Sequence, residues 1–94
     1  MIIVAGPIWV DPAERDGYLD GCVELMEAAR ATTGCLDFHL TADPLDAGRI
    51  NVFEQWESVE AVEAFRGSGP SDEQAATIRR AEVVQHEVAS STSL

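Results

Sequence analysis

The chain has 94 residues, 46% hydrophobic and 24% charged, a balance that fits one small globular domain and excludes a globally disordered chain. Six arginines and no lysine stand against 17 acidic residues, giving a formal net charge of -11. Such a field repels phosphate backbones and anionic lipid heads, so neither nucleic acid nor a membrane surface is an expected partner.

Residues 2–10 are predicted as the first strand. Ile2, Val4, Ile8 and Val10 share one parity and Ile3, Ala5 and Trp9 the other, so both faces are apolar and the strand belongs inside a sheet. Gly6-Pro7 marks a bulge within it, because proline cannot donate to a ladder. Asp11-Pro12-Ala13-Glu14 reads as a helix start, with Asp11 as cap and Pro12 in the first turn. Tyr18, Cys22, Leu25, Met26 and Ala29 follow at helical spacing, with Gly17 and Gly21 as weak points and Gly34 as the expected left-handed end. Residues 35–42 form the second strand, Leu36, Phe38, Leu40 and Ala42 opposing Cys35, Asp37, His39 and Thr41. The turn formers of 43–48 join it as a hairpin to a third strand, 49–56, where Ile50, Val52 and Trp56 alternate with Asn51, Phe53 and Gln55.

Ser58 is the expected cap of a second helix through about Arg66, buried through Val59, Val62 and Phe65. Gly67-Ser68-Gly69-Pro70 breaks it, and Ser71 with Gln74 makes a capping box for a short helix holding Ala75, Ile78 and Ala81. Residues 82–89 form the last strand, and the tail 90–94 is expected to fray. The domain is thus expected to span 1–89. Its β-α-β-β-α-β order predicts an α+β, ferredoxin-like fold with an antiparallel sheet in the order 4-1-3-2 and both helices on one face. The uncovered face still carries apolar residues, so a second copy of the chain is expected against it.

No stretch approaches the roughly 18–20 apolar residues that span a bilayer. The apolar start at Met1–Ala5 lacks the basic leader and long run of a signal peptide, so a cytoplasmic location is the expectation. Cys22 and Cys35, a lone pair, give no disulfide framework and are expected as small buried hydrophobes.

Three stretches carry a family resemblance: Gly34-Cys35-Leu36-Asp37-Phe38, Ala42-Asp43-Pro44-Leu45-Asp46 and Phe53-Glu54-Gln55-Trp56-Glu57-Ser58. They resemble the signatures of the antibiotic biosynthesis monooxygenase domain, over nearly the whole chain. The resemblance implies a dimeric α/β barrel with a pocket between each sheet and its helices. It further implies oxidation of a small aromatic or quinol-type substrate by O₂, with no metal or flavin cofactor. The alternative is a non-catalytic dimeric domain that binds a small hydrophobic ligand. A cofactor-free reaction needs a tight apolar pocket, a base or hydrogen-bond donors for the substrate anion, and exclusion of water.

Candidate site residues follow. Trp56 either stacks on an aromatic substrate or fills the core at a strand end. Asn51, an unusual amide within a strand, either holds a substrate oxygen or faces solvent or a partner. His39 is the better placed histidine for a base, because Asp37 lies two residues away on the same face; otherwise the two form a surface pair. Phe53, Phe65 and Tyr18 are core residues that can double as pocket walls. Arg79, adjacent to Arg80, either reaches a substrate phenolate or pairs with nearby acids. No two histidines have metal-ligand spacing on one element, and no metal site is expected. The haem-degrading branch of the family is disfavoured: Phe65 stands where that branch has a tryptophan, and 66–81 contains no histidine.

Overall fold

The computed structural model describes residues 1–67 and 72–94 of the chain. The elements run β1 (Ile2–Trp9), α1 (Arg15–Gly21), α2 (Val23–Arg30), β2 (Cys35–Ala42), β3 (Arg49–Trp56), α3 (Val59–Arg66), α4 (Asp72–Thr77), β4 (Arg80–Ala81) and β5 (Val84–Glu87). The strands pair antiparallel in the order β2-β3-β1, with β4 and β5 successively along the far side of β1. That is the 4-1-3-2 order of a ferredoxin-like α+β fold, with the last strand in two pieces. The sheet of one chain is open and does not close into a barrel.

Gly6-Pro7 breaks the last strand rather than the first. β1 runs without interruption against β3, pairing Gly6 with Val52 and Pro7 with Asn51. On its other side the Pro7 carbonyl accepts from the Glu82 N–H at 2.9 Å, so the position lacking an N–H faces the last strand, and the ladder parts there. Gly6 has φ +143°, and a Cβ on it would lie 2.2 Å from the Glu82 carbonyl oxygen. Only glycine lets the two backbones approach this closely.

The first predicted helix is two helices meeting at Cys22. The Cys22 N–H bonds to the Leu19 carbonyl three residues back, at 3.0 Å, beside the weak position Gly21. Pro12–Glu14 form a turn in which Asp11 Oδ1 accepts from the Ala13 N–H at 2.9 Å, and regular helix begins at Arg15. α2 ends at Arg30, before Gly34, whose φ of +89° starts the turn into β2 where a Cβ would meet that of Ala61 at 2.7 Å. Ser58 caps α3 as expected, its Oγ accepting from the Ala61 N–H at 3.2 Å. The break at Ser68-Gly69-Pro70 and the Ser71 capping box lie outside the described residues.

Strand alternation sorts the side chains onto two faces. The even-numbered residues of β1 and β3, with Phe38 and Leu40 of β2, turn toward the helices. Ile2, Val4, Ala29, Phe38, Trp56 and Val62 form one buried cluster there, and Ile8, Val10 and Ile50 a second. Leu40 and Val83 pack against both. The odd-numbered residues Ile3, Ala5, Asn51 and Phe53, with His39, form the helix-free face. No described helix is long and apolar enough to cross a membrane.

Candidate functional site

On the helix side, Trp56 ends β3 with none of its surface exposed. Its ring lies 5.2 Å from that of Phe65 on α3, and Phe65 meets Phe38 edge-on at 5.6 Å. Leu25 and Met26 of α2 and Leu40 of β2 pack around this aromatic group, each partly buried. Among the described residues one carboxyl shares the surface. Glu54 is two residues before Trp56, opposite Val4 on β1 and Phe38 on β2. The Trp56 indole Nε1 donates to Glu54 Oε1 at 3.0 Å. Burial pushes the Glu54 carboxyl above its ordinary value, outweighing the opposing effects of the indole N–H and of Arg66.

A carboxyl in apolar surroundings with one oxygen fixed by a donor is equipped to accept a proton. Glu54 was not among the sequence-predicted site residues. Its signal is parity: it occupies the same register as Ile50, Val52 and Trp56, an acid where the pattern calls for a hydrophobe.

Tyr18 belongs to the second helix-side cluster, beside Cys22. Desolvation above all, with a smaller contribution from Cys22, raises its phenol to about 12, so it stays protonated at neutral pH. Burial likewise raises the Cys22 thiol. Both residues fill space as neutral groups.

The other predicted residues lie across the sheet. His39 stacks on Phe53 at 5.2 Å, and its Nε2 stands 3.7 Å from Asp37 Oδ2, beyond hydrogen-bond reach. Stacking, rather than the carboxylate, sets the ring plane. Asn51 is taken up by the hairpin: its Nδ2 donates to Asp43 Oδ1 at 3.0 Å and its Oδ1 accepts from Arg49 Nε at 2.7 Å. Asp43 Oδ2 in turn accepts from the N–H groups of Leu45 and Asp46, and Trp9 Nε1 donates to Asp46 Oδ2 at 3.1 Å. These bonds hold both carboxyls below the usual carboxylate range, Asn51 contributing most at Asp43 and Trp9 at Asp46. Arg15 closes the turn from the other side by donating to the Asp43 and Asp46 carbonyls.

Arg79 pairs with Asp11 at 2.9 Å and Arg80 with Glu82, so both adjacent cations are paired with acids. Arg80 also stands 4.4 Å over the Trp9 ring. The structure thus brings Trp56 and Phe65 together, with Glu54, and brings His39, Phe53 and Asn51 onto the opposite face. The two sets share no space within one chain. Both histidines of the sequence lie on the helix-free side, since His86 pairs with Ile3. Among the described residues no three His, Cys, Asp or Glu side chains converge as metal ligands would.

The family described as antibiotic biosynthesis monooxygenase matches residues 1–86. A putative antibiotic biosynthesis monooxygenase from Deinococcus radiodurans superposes with a TM-score of 0.80 at 17% identity, covering 100% of this chain and 98% of that one. A second, from Nitrosomonas europaea, has a TM-score of 0.80 at 11% identity, over 96% and 100% of the two chains. The haem degrader MhuD of Mycobacterium tuberculosis, solved with two haems in its active site, has a TM-score of 0.69 at 21% identity, over 99% and 100%. At these identities the likeness establishes the fold. Among curated proteins, none matches the chain significantly.

Proposed function

Because the chain belongs to the antibiotic biosynthesis monooxygenase family, we propose that it is a cofactor-independent monooxygenase acting on a small aromatic or quinol-type substrate with O₂. The observation that carries this reading is the helix-side group of Trp56, Phe65 and Phe38 with the half-buried Glu54 among them. Deprotonation gives a substrate anion electron-rich enough to pass one electron to O₂. The resulting radical and superoxide combine, one oxygen atom remains as a carbonyl, and the other leaves as water. The apolar walls keep bulk water from the anion while this occurs.

The working form is a homodimer joined through the helix-free face, in the cytoplasm. Ile3, Ala5, Phe53, His39 and the half-exposed Val84 give that face enough apolar surface for a partner copy. Asn51, His39 and Phe53 then serve the dimer, and Arg79 holds the turn through Asp11. Haem chemistry fits this chain poorly. A histidine is a common axial ligand of haem iron, and neither His39 nor His86 faces the helix side.

The test is oxygen uptake by the purified, metal-free protein with a panel of anthrones and naphthoquinols. Uptake above autoxidation is expected. It should fall about tenfold in Trp56→Phe, the equivalent of one hydrogen bond of about 1.5 kcal/mol to a charged group, and persist in Asn51→Ala. One observation favours a second reading, a dimeric binding domain for a small hydrophobic ligand: Trp56 is wholly enclosed by its neighbours. A ligand that raises the melting temperature with no oxygen uptake from any substrate would establish it.

A further inference from the structure

We propose that Glu54 is the general base of this site, that its Oε2 takes the proton from an acidic ring carbon or hydroxyl of an apolar aromatic substrate, and that Trp56 is its positioning residue. The assignment rests on the oxygenase reading for its substrate class, but the proton transfer is separable from the oxidation. In this step the substrate C–H or O–H bond breaks, the electron pair stays on the substrate, and an O–H bond forms on Glu54.

Three geometric facts support it. Glu54 is the one acid of β3, and it points to the helix side with Val4 and Phe38 as its cross-strand neighbours. Trp56 Nε1 occupies Oε1, and no described residue donates to Oε2, which leaves one oxygen for a ligand. The surrounding side chains are apolar and only partly buried at Met26, Leu40 and Phe65, so an apolar ring has surface to lie against. The other described titratable groups on this side are less suited: Tyr18 holds its proton up to about pH 12, Cys22 is sealed from solvent, the Cys35 thiol is raised by burial and donates to the Asp37 carbonyl, and both histidines are across the sheet.

The charged and titratable groups around Glu54 set its pH behaviour. Arg66 on α3 favours the carboxylate. Cys35 on β2 feels the Glu54 charge and is itself raised, chiefly by burial. Arg30 on α2 donates to the Phe38 carbonyl at 2.8 Å and acts on Cys35 rather than on Glu54. Desolvation prevails over all of them at Glu54, so the base stays protonated to a higher pH than an exposed glutamate and is a stronger base once ionised.

The experiment is anaerobic exchange of the ring-methylene hydrogens of anthrone into D₂O, followed by proton NMR, with the full chain and with Glu54→Gln, Glu54→Asp and Trp56→Phe. General bases contribute about 10²–10⁴-fold, so Glu54→Gln should slow protein-catalysed exchange at least about a hundredfold. Glutamine keeps the acceptor for Trp56 Nε1, so the fold is preserved. Glu54→Asp should retain part of the rate. In the wild type the rate should fall as the pH drops through the raised carboxyl pKa, and that limb should be absent in Glu54→Gln. Trp56→Phe should shift the limb to higher pH, by removing a donor to the ionised form, a readout that a packing role would not move.

The outcomes separate the two claims. Exchange lost in Glu54→Gln, in a protein that takes up no oxygen, sinks the oxygenase and keeps the base. Oxygen uptake that persists in Glu54→Gln sinks the base and keeps the oxygenase. Wild-type protein that leaves exchange at the buffer rate overturns the assignment of Glu54.

Discussion

The two faces of one sheet follow opposite rules in this protein. On the helix side, Ile2, Val4, Ile50 and Trp56 are almost wholly buried, and among the described residues a single acid, Glu54, shares the apolar surface with only Trp56 bonded to it. On the helix-free side the polar groups around the hairpin are many and committed: Asn51, Asp43, Asp46, Arg49 and Trp9 form one connected network, and His39, further along β2, is the exception with a buried Nδ1 that has no partner among the described residues. A polar group with all its partners inside the chain has little left for a ligand. A carboxyl with one oxygen fixed and the other unclaimed is held ready for one. Chemistry is therefore expected where polarity is scarce, and assembly where it is satisfied.

The most damaging way to break this contrast is to empty the helix side. Trp56→Ala should cost about 3–5 kcal/mol, the usual range for truncating an enclosed aromatic, since the cavity lies between β3 and α3 and cannot collapse. Chemical denaturation would measure it, and in a domain of about 5–15 kcal/mol total stability the loss is visible as a much lower midpoint. A change below about 1 kcal/mol would mean that Trp56 is not the keystone of the cluster. Phe53→Asp makes the complementary break. Phe53 is only part-buried on the helix-free face, so a carboxylate there should leave the fold intact by circular dichroism and convert the dimer to monomer by light scattering at micromolar concentration. A wild type that is already monomeric, or a variant that stays dimeric, would take the partner copy off this face.

Much of this division was legible from the residues. The bounds of β2, β3 and α3 follow from alternation, turn chemistry and the Ser58 cap, all of which act locally, and the structure repeats them. The interior position of β1 follows from its two apolar parities. Which parity meets the helices does not, because Ile3, Ala5 and Phe53 are as hydrophobic as Ile2, Val4 and Val52, and only the packed helices decide. Asn51 and Trp56, five residues apart on one strand, are both candidate site residues, yet their opposite parity already sets them on opposite faces, as the structure has them. The division of the last strand depends on where the Pro7 backbone meets it, a tertiary fact. Glu54 is readable by its parity, an acid in a hydrophobic register beside the more conspicuous Trp56.

The smallest expected effect is also the most specific, because the two faces should respond to pH with opposite sign. Asp43 and Asp46 have lowered pKa values in the fold, so the stability they contribute is fully present above the unfolded carboxylate value and is lost as pH falls through the lowered folded values. Glu54 has a raised folded value, so ionising it costs stability, and that cost disappears as pH falls through the raised value toward the ordinary one. On acidification from neutrality, Glu54 should therefore protonate first with a small gain in stability. The hairpin should hold to a pH below the ordinary carboxylate value. Carboxyl ¹³C shifts would follow the three groups directly, and amide exchange at Leu45, Asp46 and Gly48, whose N–H groups bond to Asp43 and Asp46, would report the turn. Amides that lose protection in the same pH interval in which Glu54 titrates would show that the carboxyls of both faces are ordinary. Protection that outlasts the titration of Glu54 would show that the acids of the hairpin turn and the one acid of the strand that follows it are held on opposite sides of the ordinary carboxylate value, the first by many donors and the second by burial beside a single one.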